Sequence, residues 1–343
     1  MRCCSGMGSA LAVELTRIQL RELRYFVHVA ELKSFTRASV HLRIAQPALS
    51  RQIKKLEDDL GIQLLVRSAQ GVELTDAGIL LLERSRRILR QVAQTLEDVR
   101  AQAGSVSGTI TLGVPPAAGE LLVPGVMSAL AQAHPQLRLN IVEGFSGFLY
   151  ERLVKQEMNL ALVHNPAQHR DVDTYPLLVE PMYLIGPAVG RGETLTAHEA
   201  TELSDLPLIL PARPHSLRML AEKIYGDLGL SFNLRYEIDG LNLIRALVAD
   251  GQGYTLLTYG SVYHQIADGR LSARRLENPE LTWRLMLASL ADQRKSQALR
   301  TVIDIIHAQV HKLVDNDLWR GHPQYPQEVE EMPIPPLAGE TQK

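Results

Sequence analysis

Gln46, Ser50 and Lys54 recur every four residues, and Arg51 lies beside them. On a helix these four side chains share one face, while Leu49, Ile53, Leu56 and Leu60 share the opposite one. An amide, a hydroxyl, a guanidinium and an ammonium on an outward face suit base edges and phosphate oxygens. The solvated face of a small helical bundle carries the same residue types, so the surroundings must decide. Within residues 18–78 the basic side chains are Arg21, Arg24, Lys33, Arg37, Arg43, Arg51, Lys54, Lys55 and Arg67. Glu57, Asp58 and Asp59 gather at the far end of the same helix, so positive charge concentrates at the near end.

A second set of candidates falls where strands are predicted to end: Pro115 and Pro116, Ser146, His164 and Asn165, Pro211 and Arg213, and Thr258. Ligands of open α/β sheets sit beyond the carboxyl ends of strands, where helix N-termini present free N–H groups. Ser146 and Thr258 stand out because a hydroxyl both donates and accepts. Arg213 and His215, at the start of a helix, suit an anionic ligand or a solvated rim. The prolines also serve to stiffen a turn, His164 to be a satisfied buried imidazole, and Thr258 to cap a helix. Gly251-Gln252-Gly253 follows a helix, the wrong context for a dinucleotide loop. His164, His169, Asp171 and Asp173 cluster on a loop, not at metal-ligand spacing. No nucleophile elbow or reactive cysteine setting is present, so neither an enzyme nor a cofactor is expected.

The first group needs three short helices. Leu23, Phe26, Val27 and Ala30 outline one from Leu20 to Leu32; Ser34 caps a second, faced by Phe35, Ala38 and Leu42. The third begins at Gln46-Pro47 and ends at Gly61, with the small Ala38 and the apolar Ile44 where a helix-turn-helix needs them. Residues 62–74, with Gly71 at the tip, read as a hairpin wing. Thr75-Asp76 then caps a long helix, on which Leu81, Ser85, Ile88, Val92, Leu96, Val99 and Ala103 form a narrow seam for a partner helix. At 1.5 Å per residue it spans roughly 40 Å. Gly104 to Gly108 reads as a flexible joint.

Beyond it, strand and helix patterns alternate in two sets, which implies two α/β lobes with parallel sheets. A late strand around Trp283 to Ser289 and a helix from Ser296 to Val314 return to the first lobe, leaving two chain crossings. The expected division is an extension at 1–17, a winged helix-turn-helix at 18–78, a dimerisation helix at 79–104, a two-lobed domain at 105–318 and a disordered tail at 319–343.

A chain of 343 residues exceeds one core, and 45% hydrophobic with 22% charged residues is an ordinary globular balance. A net charge of -2 excludes a global polycation, so any nucleic-acid surface is a local patch. The two cysteines, Cys3 and Cys4, are adjacent, neither a metal spacing nor a disulfide framework. No apolar run reaches bilayer length and no leader-like core precedes Glu14, so a cytoplasmic protein without a membrane partner is expected. The first residues read as a tail, or as an artefact of start-codon choice.

The run LRELRYFVHVAELKSFTRASVHLRIAQPALSRQIKKLEDDLGIQLLVRSAQGVELTDAG resembles the N-terminal domain of LysR-type transcriptional regulators over about sixty residues. The resemblance implies that Gln46, Pro47, Ser50 and Arg51 face the major groove, that Arg21 and Thr36 touch backbone, and that Arg67 approaches the minor groove from the wing. Two departures stand out: Ala45 where the family has a Ser or Thr cap, worth about 1 kcal/mol, and Leu65-Val66 where it has Phe-Glu. The run GVPPAAGELLVPGVMSALAQAHPQLRLNIVEGFSGFLYERLVKQEMNLALVHNP resembles the same family's effector domain, built like a periplasmic binding protein with two Rossmann-like lobes. Its GVPP and VEGFSG wording looks most like the nitrogen assimilation control subgroup.

The expected function is promoter binding by a homodimer or homotetramer that contacts RNA polymerase and is modulated by an unidentified small-molecule effector in an interlobe cleft. Two other readings remain open. One is a solute-binding or enzymatic α/β protein with a fused helical domain; the other is a DNA-binding protein whose second domain is only an oligomerisation scaffold.

Overall fold

The computed structural model describes residues 18–68, 71–101, 106–189, 198–231, 233–277, 280–293 and 296–324. The chain divides after Val99 into two units.

The first unit holds α1 (Leu20–Leu32), α2 (Phe35–Leu42), α3 (Gln46–Leu60), β1 (Leu65–Ser68), β2 (Gly71–Leu74) and all but the last two residues of α4 (Asp76–Ala101). Ser34 caps α2 by accepting the Arg37 N–H, and Gly61 ends α3 in the left-handed conformation. Ala45 provides no side-chain cap for α3; Pro47 near its start removes one N–H that would need a partner. Phe26, Val29, Ala38, Leu49, Ile53, Leu56, Leu64 and Val72 make the core. The entry of α4 is tight: a Cβ on Gly78 would lie 2.1 Å from the Leu64 carbonyl oxygen. Thr75 Oγ1 accepts the Gly78 N–H at 3.0 Å, and so caps this helix.

In the second unit β3 (Gly108–Val114) runs parallel to β4 (Leu137–Glu143) and β5 (Leu160–His164). The helices α5 (Pro116–Ala133) and α6 (Ser146–Val154) connect them. The sixteen-residue β6 (Val172–Pro187) leaves this lobe for the next. There it is joined by β7 (His198–Glu199), β8 (Pro207–Leu210), α7 (Ser216–Asp227), β9 (Asn233–Glu237), α8 (Leu241–Ala249), β10 (Thr255–Thr258), α9 (Tyr263–Ala267) and β11 (Leu271–Glu277). The chain returns through β12 (Thr282–Leu290), α10 (Gln297–Asp315) and β13 (His322–Pro323).

The lobes are mixed, not parallel: β12 is antiparallel to both β5 and β6, and β10 and β11 are antiparallel to the far half of β6. A sheet re-entered after a crossing takes the returning strand in whichever direction the crossing delivers it. One lobe packs Leu112, Leu122, Leu162, Leu285 and Val302; the other packs Ile185, Leu210, Tyr225, Val248 and Leu257. The expected tail from 319 meets a different fact: Trp319 is fully buried in the first lobe's core, and the next residues form β13 on β6. An indole held on both sides outweighs the polar, proline-rich run that follows it. The extension 1–17, Ala103, the start of the joint and residues 325–343 lie outside the described residues.

Candidate functional site

In the first unit the outward face of α3 is as the spacing predicts, but Leu60, expected on the inner face, is exposed at the helix end. Gln46, Pro47, Arg51 and Lys54 are exposed and Ser50 is half-buried, while Leu49, Ile53 and Leu56 are buried. Arg21 and Thr36 are exposed on the neighbouring helices. Lys55 is not part of this face: its ammonium lies 2.6 Å from the buried Glu22 carboxylate and ties α3 to α1. Glu57 likewise turns inward and accepts the Leu64 and Leu65 N–H groups at 2.8 and 3.1 Å. Two of the charges at the helix's far half are thus structural. Arg67 belongs to β1, and its side chain lies outside the described ones.

In the second unit β6 crosses between the lobes at Glu180 and Pro181, and the chain crosses back at Thr282 and Trp283, in register beside them. Over this double crossing lies a cavity of about 60 Å³. Pro115, Pro116, Ser146, His164, His215 and Thr258 line it; Asn165, Pro211 and Arg213 do not. Arg213 points instead to Glu222, 2.6 Å away, and is exposed. The Pro211 carbonyl faces the Arg218 guanidinium at 3.4 Å. Asn165 is exposed beyond the end of β5, with a positive φ of 43°. Glu180, Trp283, Trp319, Phe145 and Ser261 also line the cavity and were not anticipated.

A hydrogen-bonded chain runs through the wall. Ser146 Oγ accepts the His164 backbone N–H at 3.0 Å and lies 3.3 Å from His164 Nδ1. The other ring nitrogen is 3.5 Å from Glu180 Oε2, and Trp319 Nε1 donates to Glu180 Oε1 at 2.6 Å. The His164 ring stacks on Trp283 with centroids 3.6 Å apart. Thr258 Oγ1 and Ser261 Oγ share a hydrogen bond of 2.9 Å.

His215 caps α7: its Nδ1 accepts the Leu217 N–H at 3.1 Å, which leaves the proton of the neutral ring on Nε2. Burial pushes His215 down to about 4; His164 adds to this and Asp239 opposes it. The ring is therefore uncharged at neutral pH. Because the folded state holds this proton less tightly, its contribution to stability is lost as pH falls from about 6.5 to about 4. No lysine or arginine is among the residues that line the cavity.

Among the described residues an ion pair joins the lobes. Arg245 on α8, 5% exposed, donates twice to Glu120 on α5, at 3.1 and 2.9 Å. Glu120→Ala would leave a buried guanidinium with only Asn242 opposite it. A fully buried pair broken this way costs several kcal/mol; Glu120 is partly solvated, so about 1–2 kcal/mol is expected. Urea unfolding measures it, and an unchanged midpoint would show that the pair does not hold the lobes together.

Among the described residues no group of three or more His, Cys, Asp or Glu could hold a metal ion, and no helix is long and apolar enough to cross a membrane.

Residues 20–79 match the bacterial regulatory helix-turn-helix protein model of the lysR family, and residues 103–310 match the LysR substrate binding domain. The HTH-type transcriptional regulator BbuR of Bordetella bronchiseptica is 32% identical over 88% of this chain and 93% of its own. The nitrogen assimilation regulatory protein nac of Escherichia coli is 29% identical over 70% of this chain and 78% of its own. A full-length OxyR variant from Pseudomonas aeruginosa superposes with a TM-score of 0.72 at 28% identity, covering 92% of this chain and 99% of that one. A recognition helix with an open polar face and a two-lobed sheet with a cavity at its crossing thus occur in the order both matches require, and the chain belongs to the LysR family of DNA-binding transcriptional regulators with an effector-binding domain.

Proposed function

We propose that α3 enters the major groove of promoter DNA with Gln46, Pro47, Ser50, Arg51 and Lys54 toward the bases and phosphates. Arg21 and Thr36 contact the backbone from α1 and α2, and Arg67 reaches the minor groove from the wing. The observation that carries this reading is the division of α3 itself: an exposed row of amide, guanidinium and ammonium groups backs onto a fully buried leucine and isoleucine row. Residues 18–78 act as the DNA-binding head, 79–104 as the dimerisation helix of a homodimer or homotetramer, and 105–324 as the sensor, its end moved beyond the expected 318 by Trp319 and β13. The effector occupies the cavity over the double crossing, and its binding changes the angle between lobes and hence the spacing of paired heads. RNA polymerase is the downstream partner, in the cytoplasm. The narrower nitrogen-assimilation reading has the GVPP and VEGFSG wording behind it, but BbuR matches more of the chain at higher identity.

Operator binding measured over a salt series tests the DNA reading. Each phosphate contact contributes a slope of about -0.9 in log K against log salt, so several contacts predict a steep decline. A salt-independent or undetectable affinity would leave the helical unit as an accessory to a solute-binding protein.

A further inference from the structure

The chemistry of the cavity wall points to the class of ligand, on the reading that this cavity is the effector site. Glu180 sits on the crossing strand itself, opposite Trp283 in the β6–β12 register, and is 2% exposed. An ionised carboxylate has about four acceptor positions. Trp319 Nε1 fills one, and His164 Nε2 stands at 3.5 Å from Oε2, so at least part of that capacity is unspent at the cavity wall.

Of the side chains on the wall, only the imidazoles of His164 and His215 could carry positive charge beside this carboxylate. No lysine or arginine lines the cavity, and His215 is an uncharged ring that donates from Nε2. The start of α5 at the wall is Pro115-Pro116, two residues without an N–H, so the first N–H groups it offers are those of Ala117 and Ala118. A carboxylate or phosphate ligand would meet a like charge in a desolvated space. An ammonium would meet an opposite one and make charge-assisted hydrogen bonds. The indoles of Trp283 and Trp319, with Leu121, Leu257 and Pro115, give the remainder of the wall an apolar character.

We propose that the cavity binds a small ligand with a primary ammonium group, which donates to Glu180 while its apolar body lies against the leucines and prolines. The cavity measures about 60 Å³, which suits a small ligand.

The test uses the full-length chain with two matched series, the amines from ethylamine to hexylamine and the carboxylates from acetate to hexanoate. Thermal shift and calorimetry are read at neutral pH. The expected result is saturable stabilisation by at least one amine, and at least about tenfold weaker binding of its carboxylate counterpart. Glu180→Gln keeps an acceptor for Trp319 and should lose most of this discrimination; if it fails to fold by circular dichroism, Glu180→Asp, with the carboxylate withdrawn, is used in its place. Ser146→Trp fills the cavity and should abolish all binding. Stabilisation by carboxylates and not amines, lost in Ser146→Trp, overturns the amine class and leaves the cavity reading standing. No shift with any amine also overturns the class. Binding that survives Ser146→Trp unchanged overturns the cavity as the effector site.

Discussion

Arg51→Ala is expected to weaken operator binding by about 1–3 kcal/mol, roughly 5- to 150-fold, without loss of fold. Arg51 is exposed on α3, no hydrogen bond or ion pair engages it among the described residues, and its neighbours Leu49 and Ile53 hold the helix from the other side. Its removal therefore costs the folded unit little. A bidentate guanidinium at a base edge discriminates between bases, so the loss should be larger on the cognate site than on random DNA. Lys54→Ala makes the contrast: without its ammonium on a phosphate, affinity should fall on all sequences alike and the salt slope should shrink by about 1. Gel-shift titrations on both DNAs give the answer, and unchanged cognate affinity in Arg51→Ala would remove α3 from the groove.

Replacing Ile88 and Val92 together with Asp is expected to dissociate the oligomer. The seam on α4 changes character along its length: Leu81 packs on the core of its own unit and Ser85 is buried, whereas Ile88 is 40% exposed and Leu96 and Val99 are more so. The 26 residues of α4 amount to about 39 Å of helix, far more than a small three-helix core covers. A second α4 laid along the exposed stretch would bury this stripe. Carboxylates placed there would be desolvated without partners, at a cost of several kcal/mol per ion, enough to shift association at least about a hundredfold. Both positions are exposed within the unit, so its fold should survive, as circular dichroism would show. Sedimentation velocity reads the outcome, and a native oligomer in the double variant would assign the stripe to another surface.

The first unit was nearly all legible in the sequence, because each of its elements is announced locally. Ser34, Pro47, Gly61 and Thr75 mark helix ends within one turn, and the leucine spacing of α3 sets its inner face without reference to anything distant. Lys55 is the exception, since its partner Glu22 lies on another helix and no local rule joins them. The strand β6 shows the limit more sharply. Pro176 and Pro181 argue against a strand that pairs on both sides, and the sequence pattern offers nothing to set against them. The structure accommodates Pro176 where the pairing with β12 slips at Leu285 and Met286, and it sets Pro181 at the crossing between lobes.

The cavity over the double crossing follows the same division. Pro115, Ser146, His164 and Thr258 are legible because the ends of strands show in local pattern, and the ends of strands are where α/β lobes keep their ligands. Arg213 is a candidate on the same ground and turns away, because Glu222 nine residues on is a nearer partner than the cavity. Glu180, Trp283 and Trp319 come from an unrecognised strand, a strand edge and an expected tail. They meet only because β6 and the returning chain cross side by side and α10 brings Trp319 back beneath them. Sequence by itself determined the family, the polar outer face of α3 and the order of the lobes, since periodicity and caps act within a few residues. Tertiary structure alone decided that Glu180, Trp283 and Trp319 share one cavity wall, because that depends on residues separated by more than a hundred positions and joined only by packing.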